Sequence, residues 1–158
     1  MQIDTASPPP DPAPDRRIGI IAARFNGDVT EELLEGCRST LEEFGVEANA
    51  VEVYRVPGAW ELPQAAKKIA ALNRHDALIA LGCVIRGETP HFDYVAGEAS
   101  SGLGALAREL DIPLVFGVLT TETRDQAWAR ASREVGNKGR ELAQSALHMI
   151  SLFEDLED

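Results

Sequence analysis

Basic residues are scarce in this sequence of 158 amino acids. There are 15 Lys and Arg against 26 Asp and Glu, so the formal net charge is −11 and the isoelectric point is about 4.7. A surface of that charge repels nucleic acid and the anionic face of a membrane, because both are negatively charged. The composition therefore argues against those partners, and any phosphorylated ligand must be held by a few local groups.

Cysteine is scarce as well, and long apolar runs are missing. Cys37 and Cys83 are the two cysteines of the chain. They have no metal-ligand spacing, and a buried free cysteine usually packs as a small hydrophobic side chain, so we predict neither a disulfide nor a metal site. No apolar run reaches the ~20 residues of a membrane-spanning helix, and no basic segment followed by an apolar core opens the sequence. These absences predict a soluble, cytoplasmic protein.

Proline is infrequent except near the N-terminus, where residues 1–15 contain five of the nine prolines. Proline lacks a backbone N–H, so this segment suits neither a helix nor a central strand. We predict an extended arm over residues 1–15, followed by a single domain over residues 16–158 that is long enough to bury a full core. The composition leaves open whether the arm is disordered or lies along a neighbouring subunit.

The sequence does have a regular alternation of apolar strands and helical stripes. The four predicted strands cover residues 17–23, 50–56, 77–81 and 114–119. The third is apolar throughout, as expected at the centre of a parallel sheet, whereas the second alternates polar and apolar residues like an edge strand. With right-handed crossovers this predicts an α/β fold, a flavodoxin-like three-layer α/β/α sandwich around a four-stranded parallel sheet.

Cap residues indicate where the helices begin. Two pairs have the spacing of capping boxes, Asp28 with Glu31 and Thr123 with Gln126. Thr89 followed by Pro90 predicts another helix start, with the Thr89 hydroxyl as the cap and Pro90 at the first helical position.

The segment from Gly82 to Tyr94 combines a strand end, glycines and a helix start. Ligands of open α/β sheets lie outside the carboxyl ends of the strands, and the free N–H groups of a helix N-terminus favour an anion. His91 would stand in the first helical turn, where the positive end of the dipole favours a neutral imidazole that accepts protons. A histidine near a helix start is also a common surface residue, so its position alone leaves both interpretations open.

Four further residues have a structural and a functional interpretation. Phe25 follows the first strand and either covers the core or stacks on a planar ligand. Glu61 lies early in a helix and either suits the dipole or accepts hydrogen bonds from sugar-like hydroxyls. Arg130 and Lys138 are either solvated surface residues or the cationic half of a phosphate site.

Several segments together resemble one enzyme family. They occur in order along the chain as Ala23-Arg24-Phe25-Asn26, Val56 through Pro63, Gly82 through Tyr94, Phe116 through Glu122, and Gly136-Asn137-Lys138-Gly139. Over roughly residues 17–153 the sequence resembles the 6,7-dimethyl-8-ribityllumazine synthases, which catalyse the penultimate step of riboflavin biosynthesis. The resemblance implies condensation of 5-amino-6-(D-ribitylamino)uracil with 3,4-dihydroxy-2-butanone 4-phosphate, releasing phosphate and water, without a metal or a cofactor.

The resemblance also implies roles for single residues. His91 would transfer protons, and Phe25 would stack on the pyrimidine. The remaining contacts form two groups, with Ala59, Trp60, Glu61, Cys83, Val84, Ile85 and Phe116 on the ribityl and pyrimidine side, and Glu88, Thr89, Arg130 and Lys138 on the phosphate side. Phe116, Arg130 and Lys138 would come from an adjacent subunit, so the site would need an oligomer.

With such a shared site, the resemblance implies a homo-pentamer at least. Shell-forming members of the family keep the segment between the last two helices short, so the short spacing between Arg130 and Lys138 favours a shell of twelve pentamers. Riboflavin synthase is a further candidate partner. Two other functions stay open at this point. A flavodoxin-like module that binds flavin or a riboflavin precursor without turnover would not need His91, and a purely structural shell would not need Arg130 or Lys138.

Overall fold

The computed structural model describes residues 8–158. Within that part of the chain, four strands alternate with four helices and a fifth helix follows. Short 3₁₀ turns at Ala48–Ala50 and Ala59–Glu61 precede the second strand and the second helix. The elements are β1 (Ile18–Ala23), α1 (Gly27–Glu43), β2 (Val51–Val56), α2 (Leu62–Ala70), β3 (Ala77–Ile85), α3 (His91–Glu109), β4 (Leu114–Thr121), α4 (Arg124–Ala131) and α5 (Lys138–Glu157).

The strands of the described chain form one parallel sheet in the order β2-β1-β3-β4. Strand β3 therefore lies inside the sheet, between β1 and β4, and is buried along most of its length. Strands β2 and β4 are the two edges. The predicted parallel sheet, its central third strand and its second strand at the edge are confirmed.

Helices cover both faces of the sheet because alternate strand residues point to opposite sides. On one face Ile20 and Ile79 pack with Leu33 of α1 and with residues of α4 and α5. On the other face Ile21 packs with residues of α2 and with Leu103 of α3. The two clusters confirm the predicted three-layer, flavodoxin-like arrangement.

Strand β3 is longer than predicted. It continues through Gly82 to Ile85, and Val84 and Ile85 pair in register with Thr120 and Thr121 of β4. Gly82 therefore lies inside the strand rather than in the loop after it. A Cβ atom at this position would lie 3.3 Å from a methyl carbon of Leu62, so glycine lets the start of α2 pack closely on the strand.

Helix α1 begins two residues earlier than the predicted capping box implies. Asn26 occupies the N-cap position in a left-handed conformation, with φ of 57°, and its side chain donates a hydrogen bond to the Cys83 carbonyl over 2.8 Å. Asparagine tolerates this conformation better than most residues. The capping box at Asp28 and Glu31 was therefore a wrong prediction. Those two carboxylates form ion pairs with Arg124 and Arg55 instead.

The predicted starts of α3 and α4 agree more closely with the structure. Helix α3 begins at His91, one residue later than expected, and the Thr89 hydroxyl accepts a 3.4 Å hydrogen bond from the His91 amide. At α4 both halves of the predicted capping box form between Thr123 and Gln126.

The described part of the predicted arm lies against its own domain. Residues 8–15 form no helix or strand, and the Ala13 amide donates a 2.8 Å hydrogen bond to the carbonyl of Phe44, next to the end of α1. Residues 1–7, which complete the predicted arm, lie outside the described residues.

Helices α1 and α5 pack at very short range. Gly36 of α1 faces Gly139 of α5, and a Cβ atom on Gly139 would lie 3.0 Å from the amide nitrogen of Cys37 and 3.0 Å from the Gly36 Cα. The Cys37 thiol also donates to the Gly139 carbonyl over 3.3 Å. This contact fixes the beginning of α5, where Lys138 lies.

Candidate active site

A cavity of about 730 Å³ opens at the carboxyl ends of β1, β2 and β3, next to the first turn of α3. Its lining includes nine of the predicted site residues, which are Phe25, Ala59, Trp60, Glu61, Cys83, Val84, Ile85, Thr89 and His91. We call this space the first cavity. Its position agrees with the rule that ligands of open α/β sheets bind outside the carboxyl ends of the strands.

Phe25 stands at the rim of the first cavity on a firmly held backbone. Its side chain is 72% exposed, so it does not cover the core. Its amide donates to the Pro57 carbonyl over 3.0 Å, and the neighbouring Asn26 is bonded to Cys83. The aromatic ring is thus presented to the cavity from a loop that is tied to β3 and to the segment after β2.

Glu61 has a structural partner within its own turn. One carboxylate oxygen accepts a 3.1 Å hydrogen bond from the Gly58 amide, which closes the 3₁₀ turn after β2. This contact supports the structural interpretation of Glu61, and it also fixes the carboxylate in the cavity wall. Trp60, beside it in the same turn, is a half-exposed aromatic residue of that wall.

The floor of the first cavity is the end of β3. Cys83 is buried there, and this burial raises the pKa of its thiol to about 11. The thiol is therefore neutral near pH 7 and suits an apolar wall better than a nucleophile. Val84 and Ile85 continue the same apolar surface.

His91 is exposed at the start of α3 and lines the first cavity together with Thr89. Tyr94, one helical turn further on, lines it as well. Glu88 is exposed but is not among the lining residues.

The other predicted residues line a second cavity, of about 420 Å³, along the outer edge of β4. Phe116 of β4 is 45% exposed there. Arg130 donates to the Gln126 carbonyl over 2.9 Å, which holds its guanidinium on α4. The Lys138 ammonium lies 2.7 Å from the Glu141 carboxylate. One protomer thus places Phe25, Glu61 and His91 in the first cavity, and it places Phe116, Arg130 and Lys138 in the second.

The first cavity contains the ring-binding and proton-transfer candidates, and the second contains the candidates expected from a neighbouring subunit. A family model of 6,7-dimethyl-8-ribityllumazine synthase matches residues 15–154. The chain belongs to the 6,7-dimethyl-8-ribityllumazine synthase family. As a lumazine synthase it is a transferase of riboflavin biosynthesis. Enzymes of this family act on small molecules and are oligomeric in general.

Sequence reasoning predicted neither Asn26 as a support of the site nor Tyr94 as one of its lining residues. Asn26 was quoted only within a motif, and its bond to Cys83 links residues 57 positions apart, so no local pattern reveals it. Tyr94 could have been found, because it lies three residues after His91 on the same helix and such residues share a face.

Among residues 8–158, no group of three or more His, Cys, Asp or Glu side chains could hold a metal ion. The helices of that range also include none that is long and apolar enough to cross a membrane.

Proposed function

We propose that this lumazine synthase condenses 5-amino-6-(D-ribitylamino)uracil with 3,4-dihydroxy-2-butanone 4-phosphate to give 6,7-dimethyl-8-ribityllumazine, phosphate and water. The observation that carries the proposal is the division of the candidate residues between two cavities. The first offers an aromatic rim, an apolar floor and an imidazole. The second offers the cations that a phosphate needs in an acidic chain. Neither cavity alone has the groups for both substrates.

The pyrimidine substrate is assigned to the first cavity. Phe25 stacks on the pyrimidine ring, and the apolar segment from Cys83 to Ile85 lies beneath it. The segment from Ala59 to Glu61 holds the ribityl chain, with the Glu61 carboxylate as the acceptor for its hydroxyls. The carboxylate oxygen that does not bond Gly58 is the natural partner for a hydroxyl.

The phosphate of the second substrate is assigned to Thr89, the Glu88 amide and the cations of a neighbouring copy. Thr89 lies just before α3, where free amides favour an anion. Arg130, Lys138 and Phe116 of that neighbour's second cavity complete the site. Heterologous contacts of this kind can close into a ring. Because the family resemblance implies rings of five subunits, a homo-pentamer is the proposed unit, and twelve pentamers in a 60-subunit shell are the proposed larger assembly.

His91 is assigned the proton transfers. The 5-amino group of the pyrimidine attacks the substrate carbonyl, whose oxygen leaves as water. The phosphate then leaves with the electrons of its C–O bond as a proton leaves the neighbouring carbon, and the resulting enol becomes a second carbonyl. The ribitylamino nitrogen attacks that carbonyl to close the ring, and its oxygen leaves as a second water. Each step moves a proton, and an imidazole at the cavity wall can accept one and return it. Holding both substrates in one closed site supplies a large part of the acceleration without a covalent enzyme intermediate.

A direct assay tests the proposal. The purified protein is mixed with the two substrates, and the fluorescence of the lumazine product is followed. His91→Ala should lower turnover by roughly 10- to 10⁴-fold in a folded, assembled protein. A wild-type protein that binds the pyrimidine without forming product would instead favour a binding module, and unchanged turnover of the variant would remove the role of His91.

Light scattering tests the assembly. A mass near five subunits supports the pentamer alone, and a mass near 60 subunits supports the shell. A monomer with full activity would contradict the proposal that each site is shared between subunits.

A further inference from the structure

Arg86 is held by three groups at the end of β3. Its Nε donates a 2.8 Å hydrogen bond to Glu122, which follows β4. Its NH1 lies 3.4 Å from an Asp93 carboxylate oxygen. The guanidinium carbon also lies 4.4 Å from the centre of the Phe92 ring, a cation–π contact. The side chain therefore connects the ends of β3 and β4 with the first turn of α3.

Two of these partners are the residues directly after His91. Phe92 lines the first cavity, and Asp93 follows it in the same turn. The backbone on the other side of His91 is less restrained, because residues 86–90 are exposed and Thr89 contributes a single long hydrogen bond of 3.4 Å. A Cβ atom on Gly87 would meet no heavy atom within 4 Å. Arg86 is thus the main side-chain anchor of this turn.

The guanidinium is engaged by carboxylates rather than presented to a ligand. Its hydrogen bond to Glu122 raises the pKa of Arg86 above the ordinary value. Two nearby carboxylates offset its charge and would repel a phosphate. This arrangement distinguishes Arg86 from Arg130, whose side chain is held by a neutral carbonyl and keeps its charge for an anion.

We infer that Arg86 is a positioning residue, whose guanidinium fixes the first turn of α3 so that the His91 imidazole keeps its place in the first cavity. The inference rests on the proposed function, because it is the proton transfer by His91 that needs this placement. An exposed ion pair adds little to stability, since solvent screens it. A small displacement of a reacting group can nevertheless cost about 10²-fold in rate, so the effect should fall on turnover.

Four variants test this role. Arg86→Ala removes all three contacts, Arg86→Lys keeps the charge but not the planar fork, and Glu122→Gln weakens the anchor on β4. Arg38→Ala is the matched control, because Arg38 is also an exposed arginine with a carboxylate partner, Glu35, at 3.2 Å. Thermal unfolding and light scattering identify any variant that misfolds, in which case the milder Arg86→Lys and Glu122→Gln changes carry the test.

Kinetics should separate positioning from binding. We expect Arg86→Ala to lower kcat by roughly 10- to 100-fold with each KM within about threefold of wild type, and Arg86→Lys to restore only part of the loss. In a His91→Ala background the same change should cost less than about threefold, because the group being positioned is gone. A full loss in that background overturns the inference, and so does unchanged kcat or a rise confined to the KM of the phosphate substrate.

Hydrogen exchange gives a readout that does not depend on catalysis. Amides of the first turn of α3 should exchange faster in Arg86→Ala than in wild type or Arg38→Ala, because the turn loses its anchor. Unchanged exchange there overturns the inference even if the enzyme is active. If the wild-type protein forms no lumazine, the proposed function is refuted, whereas faster exchange in Arg86→Ala would still support the anchor. Failure of the proposed function and failure of the inference can therefore be told apart.

Discussion

Gly139→Ala should destabilise the enzyme, because the added methyl group has no room between α1 and α5. The new Cβ would lie 3.0 Å from the Cys37 amide nitrogen and the Gly36 Cα, and nearer still to the Leu33 carbonyl oxygen. All three are backbone atoms that cannot rotate away, so α5 must retreat from α1 by several tenths of an ångström or more. Overpacking of this kind costs about 1–3 kcal/mol, and rigid neighbours place it at the upper end.

A smaller favourable effect opposes that cost. Alanine is a better helix former than glycine by up to about 1 kcal/mol, and Gly139 lies in the first turn of α5, where the gain is reduced. The net loss should therefore be about 2 kcal/mol. For a domain of this size 1 kcal/mol shifts Tm by about 2–4 °C, so the expected drop is about 4–8 °C.

Thermal unfolding at one fixed protein concentration measures the effect, since the stability of an oligomer depends on concentration. Gly97→Ala is the matched control, because Gly97 is also helical but a Cβ there meets no heavy atom within 4 Å. The control should be neutral or slightly stabilising. A Gly139→Ala protein as stable as the control would refute the argument that the two helices are in backbone contact.

Three further predictions follow from the site and the surface. Arg130→Ala should raise the KM for the butanone phosphate by roughly 10- to 100-fold with little change for the pyrimidine, and equal effects on both would contradict its phosphate role. Burial raises the pKa of Cys83 to about 11, so its native thiol should react with a thiol reagent at pH 8 about 100-fold more slowly than free cysteine; a comparable rate would show an accessible thiolate. The amide and guanidinium of Arg133 lower the pKa of Glu32, and the resulting stability is present above the unfolded pKa and lost as pH falls through the folded one. Glu32→Gln should therefore lose about 1 kcal/mol at pH 7, and in thermal unfolding its gap to wild type should close as the pH falls through the lowered pKa of Glu32; a constant gap would contradict it.

The fold was largely predictable because hydrophobic patterns reflect burial directly. The apolar run from Ala77 to Leu81 could only be an interior strand, and the structure buries it on both sides. The end of that strand was harder to predict, because a glycine usually weakens or interrupts a strand. Gly82 instead allows close packing of the strand against Leu62. The start of α1 was missed for a related reason, because Asn26 is held by a partner on β3.

The candidate site shows the same limit. Positions next to strand ends made residues such as Phe25 and His91 candidates from the sequence alone, since the carboxyl ends of parallel strands meet at one edge. Others, such as Ala59 and Val84, were expected only from the family resemblance. No local pattern could show that Phe116 and Arg130 face a different space from His91, because this depends on the position of β4 in the sheet. Only the resemblance to a family anticipated it. The contact between Arg86 and Glu122 could not be predicted from local sequence either, because the two residues are 36 positions apart.

The separation of the two cavities also has a genetic consequence. Chains carrying His91→Ala alone, or Arg130→Ala alone, would place a defect in every site of their own assemblies. In rings formed from an equal mixture, about one site in four would combine an intact first cavity with an intact second cavity of its neighbour. Two defective alleles expressed together would then restore growth without added riboflavin. A chain that kept its whole site within one protomer would give no such complementation.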